Sequence, residues 1–183
     1  TNVGKSIFLG NITVNALKQS KKVVLITLEM SEDIYGKRID SQITQIPLSS
    51  LGENVDQIAS AVKEFAAANP EAKLMVKEFP PSSVTVRQID AYLQKLVRKG
   101  IKIDLIVLDY LNLVAPQKVS GSSYDDIKKI AEHLRALSYK YNASIVSATQ
   151  LNRSAYGVED PGLETTSESI GLPQTVDAQF VIW

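Results

Sequence analysis

The chain has 183 residues, 44 % of them hydrophobic and 22 % charged, the make-up of a single globular domain with a core of its own. Twenty basic residues balance twenty acidic ones, so there is no global basic field, and any contact with nucleic acid must be local or come from several copies acting together. The lack of cysteine excludes disulfides and thiolate metal sites, one histidine argues against an imidazole centre, and no apolar run nears the ~18 residues of a membrane span. With no signal peptide visible, the cytoplasm is the default compartment.

In chain order, the first element is Thr1-Asn2-Val3-Gly4-Lys5-Ser6, the second half of the phosphate-binding loop G-x-x-x-x-G-K-[ST]. Gly4 lets the backbone pass close to a phosphate chain, and the N–H groups that follow form an anion nest at a helix N-terminus. Lys5 supplies a charge for the β- and γ-phosphates, and Ser6 offers a hydroxyl to Mg²⁺. Residues 6–19 read as the helix such a loop feeds. A chance Gly-Lys-Ser is the plain alternative. The loop's first glycine and the strand before it lie outside this sequence, so we expect a sheet without that central member and a nucleotide site of low activity.

An almost continuous apolar run, 23–28, reads as a strand covered on both faces, and it leads into Glu29. A carboxylate at that strand end can polarise the water that attacks a γ-phosphate. It can equally serve as a charge near the N-terminus of the next helix, 32–44, which Ser31 caps and Glu32 and Asp33 open. Helices follow at 55–68, 86–99 and 124–141, the last with Ile127, Ile130, Ala131, Leu134 and Leu137 at helical spacing. Between them come strands at 74–79, 105–108 and 144–148, and a fifth run at 178–183 ends in Trp183, expected in the core.

Asp109 closes the 105–108 strand, the position from which a carboxylate holds Mg²⁺ beside a phosphate loop, although a turn aspartate is the plain reading. Asp104, on the entry side, reads as a surface residue, and His133 as an outward-facing structural one. Gln150 closes the 144–148 strand, where its amide can bond a γ-phosphate and report its loss. Two segments without periodicity, 115–123 and 152–166, each follow a strand. Lys118 and Arg153 in them can contact nucleic-acid phosphate, against the plain reading of solvated loop charges. Alternating strands and helices give an α/β fold with a mostly parallel sheet and helices on both faces, its ligands bound outside the carboxyl ends of the strands.

These residues together resemble the motor domain of the hexameric DnaB-like replicative helicases, a branch of the RecA-fold P-loop ATPases, and in particular its T-even phage representatives. The resemblance is carried by Thr1 to Ser6, by Ile26-Thr27-Leu28-Glu29-Met30, by Lys37-Arg38-Ile39-Asp40 and by L-I-V-L-D-Y-L at 105–111. Further matches are Ile130 to Leu137, Thr149-Gln150-Leu151-Asn152-Arg153-Ser154 and Glu168-Ser169-Ile170-Gly171-Leu172-Pro173. It covers essentially the whole chain as one three-layer RecA-like ATPase domain, residues 1–183, incomplete at both ends. The resemblance implies ATP and Mg²⁺ as cofactors, Glu29 as catalytic base, Lys5 on the phosphates, Asp109 with Ser6 at the metal, and Gln150 as sensor. It also implies a homohexameric ring in the full-length protein, single-stranded DNA in the central channel along the 115–123 and 152–166 loops, and a primase among its replisome partners. An arginine finger acting in the neighbouring subunit is expected outside this sequence. RecA/RadA-type recombinases and KaiC-like non-motor ATPases share the fold and are the alternatives.

Overall fold

Two strands form the centre because their side chains are apolar on both faces. β1 (Lys22–Thr27) and β3 (Leu105–Asp109) lie side by side in parallel, Val23 opposite Leu105 and Thr27 opposite Asp109, and nearly all of their residues are buried. The computed structural model describes residues 4–150, 175–180 and 182. Among these the sheet has four strands, all pairings parallel, in the order β2 (Lys73–Glu78), β1, β3, β4 (Ser144–Ser147).

Alternation along the strands divides the core in two. Val24 and Ile26 of β1 and Ile106 and Leu108 of β3 face α4 (Val86–Arg98) and α5 (Ser123–Tyr141), where Ile89, Leu93, Ile130 and Leu134 meet them. Val23, Leu25, Leu105 and Val107 face the other way, onto Leu9, Val14 and Leu17 of α1 (Lys5–Leu17) and Tyr35 and Ile39 of α2 (Glu32–Thr44). This is the three-layer sandwich that a both-face apolar sheet demands. α3 (Val55–Ala68) lies beside α2 and buries no residue fully, though Phe65 leans on the second core. No helix among the described residues is long and apolar enough to cross a membrane.

Local signals set the helix ends. Ser31 caps α2 by accepting the Ile34 N–H, and Thr85 and Gln88 form a reciprocal capping box at α4. Two expectations need correction. Asp104 is not a free surface residue: its side chain is 18 % exposed, pairs with Lys102 at 2.8 Å and accepts the Lys22 backbone N–H at 3.0 Å, closing the entry end of β1. Of the apolar run 178–183, the described residues 178–180 and 182 form no strand. Phe180 is 78 % exposed there, and strand-forming side chains do not by themselves set a strand. Trp183 lies outside the described residues.

Candidate active site

Because every strand runs the same way, the carboxyl ends of β1, β3 and β4 form one rim, and Glu29, Asp109 and Gln150 follow or close those three strands. α1 begins at the same rim. Its N-cap, Gly4, holds φ 87° and ψ 14°, a left-handed conformation that costs glycine nothing, with open space where a Cβ would stand. No acidic residue occupies the first turn of α1, so its positive end is left to an incoming anion. Thr1, Asn2 and Val3 lie outside the described residues.

Asp109 sits where the sheet's alternation puts it. Residues 105, 107 and 109 share a face, so its side chain turns toward α1 and α2 rather than to solvent, and it is fully buried. Its Oδ2 accepts the Tyr35 hydroxyl at 3.1 Å, and that hydroxyl lies 3.4 Å from the Ser6 carbonyl oxygen. Oδ1 is buried and has no hydrogen-bond partner among the described residues. Burial first, then the Asp109 charge and the bond to it, push the Tyr35 hydroxyl far above its ordinary pKa; Arg38 opposes this and Glu29 adds to it. The phenol is therefore a standing proton donor.

Glu29 is exposed in the turn between β1 and α2. That turn is pinned on both sides. The Leu28 N–H donates to the Asp109 carbonyl at 2.8 Å, and the buried Thr27 hydroxyl donates to the Met30 carbonyl at 2.8 Å while accepting the Met30 N–H at 3.1 Å. Lys5 stands 5.0 Å over the ring of Tyr110, whose hydroxyl accepts the Gln150 side-chain amide at 3.0 Å. Lys5 and the Gln150 amide thus meet on one aromatic ring. The neighbouring Thr149 hydroxyl donates to Asn112 at 2.8 Å, a second tie between the end of β4 and the segment after β3.

The residues present fit ATP with Mg²⁺. Asp109 keeps one carboxylate oxygen unpartnered, Gly4 leaves open backbone, and no cluster of three or more His, Cys, Asp or Glu exists among the described residues to cage a cation with protein alone. Mg²⁺ needs no such cage, since it keeps waters and takes substrate phosphates alongside one or two protein oxygens. A groove of about 910 Å³ runs along β4, with Lys5 and Gln150 in its wall together with Phe8, Ile12, Arg135 and Val146. Neither Glu29 nor Asp109 lines it. Lys118 is exposed in the segment before α5, between an anchor at Ala115, whose N–H donates to the Val84 carbonyl, and another at Ser120, whose N–H donates to Asp126. Arg153 lies outside the described residues. Tyr35 and Tyr110 escape sequence reasoning; the available signal is a phenol on the inward face of α2 and one directly after Asp109, since a hydroxyl taken inside requires a partner.

A family model described as DnaB-like helicase C terminal domain matches residues 1–182. The DnaB-like replicative helicase of Enterobacteria phage T4 is 27 % identical over 188 residues, which cover 99 % of this chain and 40 % of that protein. The replicative DNA helicase DnaB of Helicobacter pylori (strain 26695) is 28 % identical over 187 residues, 100 % of this chain and 38 % of that one. The chain thus spans about two fifths of the length of these relatives. Among solved structures, a DnaB-like replicative helicase, studied with its interactions with primase, superposes with a TM-score of 0.80 at 22 % identity, covering 97 % of this chain and 43 % of that one. A second solved structure, of an ATPase domain, superposes at 0.81 and 22 % identity over 97 % of this chain and 64 % of that one. These likenesses establish the RecA-like fold.

Proposed function

Since the chain belongs to the DnaB-like helicase C-terminal domain family, we propose that it is the ATP-driven motor of a replicative DNA helicase. The observation that carries this reading is Asp109: a carboxylate fully buried at the end of β3, one oxygen tied through Tyr35 toward the start of α1 and the other unpartnered among the described residues. Bound Mg²⁺ would neutralise charge on the β- and γ-phosphates of ATP. Gly4 and the first N–H groups of α1 bind the phosphates, Lys5 follows the γ-phosphate, and Ser6 and Asp109 hold the cation. Glu29 accepts the proton of the attacking water, and Gln150 bonds the γ-phosphate and responds to its departure.

In the full-length protein, six copies form a ring around single-stranded DNA, with Lys118 and Arg153 on the channel wall, and a primase docks on the assembly, as in the DnaB-like helicase studied with its primase. Its place of work is the cytoplasm of a bacterial or phage-infected cell. The test is DNA-stimulated ATP hydrolysis and strand displacement by full-length protein. Lys5→Ala and Asp109→Asn are each expected to reduce both by ~10²-fold or more with the fold intact by circular dichroism. Ordinary turnover by either variant would refute the assignment.

A further inference from the structure

α2 turns two fully buried side chains to the core, Tyr35 and Ile39, one helical turn apart. At such a position leucine or phenylalanine supplies the same packing, and a phenol adds only a hydroxyl, which is costly inside unless bonded. Here the hydroxyl reaches two acceptors from two other elements: Asp109 Oδ2 on β3 at 3.1 Å and the Ser6 carbonyl on α1 at 3.4 Å. A phenol has one proton to give. The carboxylate is charged and nearer, so the proton goes to Asp109, and the Ser6 contact is the weaker of the two.

We propose that Tyr35 is a positioning residue that sets the Asp109 carboxylate for its cation: it engages Oδ2, fixes the rotation of the carboxyl group, and leaves Oδ1 as the oxygen that serves Mg²⁺. The last torsion of an aspartate is soft and roughly two-fold, so a carboxylate with both oxygens free samples orientations that a metal site must exclude. One strong bond from a rigid, fully packed ring removes that freedom. The same hydroxyl lies beside the Ser6 backbone, which registers the two metal-side residues against each other through α2, an element that supplies no cation ligand itself. Partners of this kind, one step out from the ligands, tune metal affinity by about 10–100-fold where they have been removed. The inference rests on the reading of Asp109 and Ser6 given above.

The experiment uses full-length protein with Mn²⁺ in place of Mg²⁺, titrated by electron paramagnetic resonance in the presence of a non-hydrolysable ATP analogue. Tyr35→Phe keeps the ring and the packed volume, and thermal melting checks its fold; Tyr35→Met is a second variant without the hydroxyl. Both are expected to weaken Mn²⁺ binding by about tenfold, to leave metal-free nucleotide binding unchanged, and to raise the Mg²⁺ concentration for half-maximal hydrolysis in step, with most of the rate recovered at saturating Mg²⁺. Asp109→Asn is the control and should weaken Mn²⁺ binding to the protein–nucleotide complex more than either Tyr35 variant, toward that of the free nucleotide. Unaltered Mn²⁺ affinity in both Tyr35 variants, with Asp109→Asn defective, overturns the positioning role and leaves the metal reading standing. Unaltered affinity in Asp109→Asn overturns both.

Discussion

Glu29 and Asp109 are both carboxylates at the same rim, and their different surroundings suit the different roles proposed for them. Asp109 is buried and held by a phenol, whereas Glu29 is exposed in a turn held in place by the Thr27 hydroxyl and the Leu28 backbone N–H. A base that takes a proton from water needs access to water, and a cation ligand needs a fixed orientation. Glu29→Gln in the full-length protein is therefore expected to keep nucleotide and Mg²⁺ binding while hydrolysis falls by ~10²–10⁴-fold, the usual worth of a general base. Single-turnover kinetics alongside equilibrium binding of a fluorescent nucleotide measure the two separately; an unchanged rate would return Glu29 to the role of a helix-end charge. That Glu29, Asp109 and Gln150 gather at one rim with Lys5 was legible in the sequence, because each stands at the edge of an apolar run, where residue type and place coincide; the roles given them are those proposed above. Tyr35 was not legible there. Helical spacing says that position 35 faces inward, but its partner lies 74 positions along the chain, and only the packing of α2 on the sheet brings them together.

At the level of elements, hydrophobic period located the five α-helices and the four strands of the described residues to within a residue or two, because each turns an apolar face or stripe toward its neighbours. The run 178–183 shows the limit: its composition suits a strand, but pairing is a property of two segments, and composition alone does not set it at the described residues 178–180 and 182. How α4 and α5 hold each other was likewise hidden. Asp90 of α4 takes both its oxygens to within 2.7 Å of the Lys140 ammonium of α5, and also accepts bonds from the Tyr141 hydroxyl and the Gln94 amide. Burial works against the ionised form of Asp90, but these donors outweigh it and hold its pKa below the ordinary carboxylate value. A carboxyl with a lower pKa folded than unfolded adds stability that is present above its unfolded value and is lost as pH falls through the folded one. Asp90→Asn is expected to cost about 1–2 kcal/mol at pH 7, since the pair is partly solvated. The gap between variant and parent in urea titrations should close as pH is lowered below about 4, the ordinary range of an aspartate; a gap that persists in acid would mean packing, not charge, joins the helices.

For the molecule as a whole, the parallel order β2-β1-β3-β4 of the described strands gathers the candidate residues of three separate segments at one rim. Stability is not shared evenly across that layout. β1 is flanked by strands on both sides and buried on both faces, with Val23 to Ile26 wholly inaccessible, while α3 on the β2 side buries no residue fully and leaves Val55 63 % exposed. Regions with few buried contacts open locally without waiting for the rest. Time is the consequence: placed in heavy water, the chain should take up deuterium as a wave, entering α3 first and the amides of β1 last, with rates separated by ~10²-fold or more. Mass spectrometry of peptic fragments would read that order directly, and equal rates in α3 and β1 would mean that the sandwich opens only all at once.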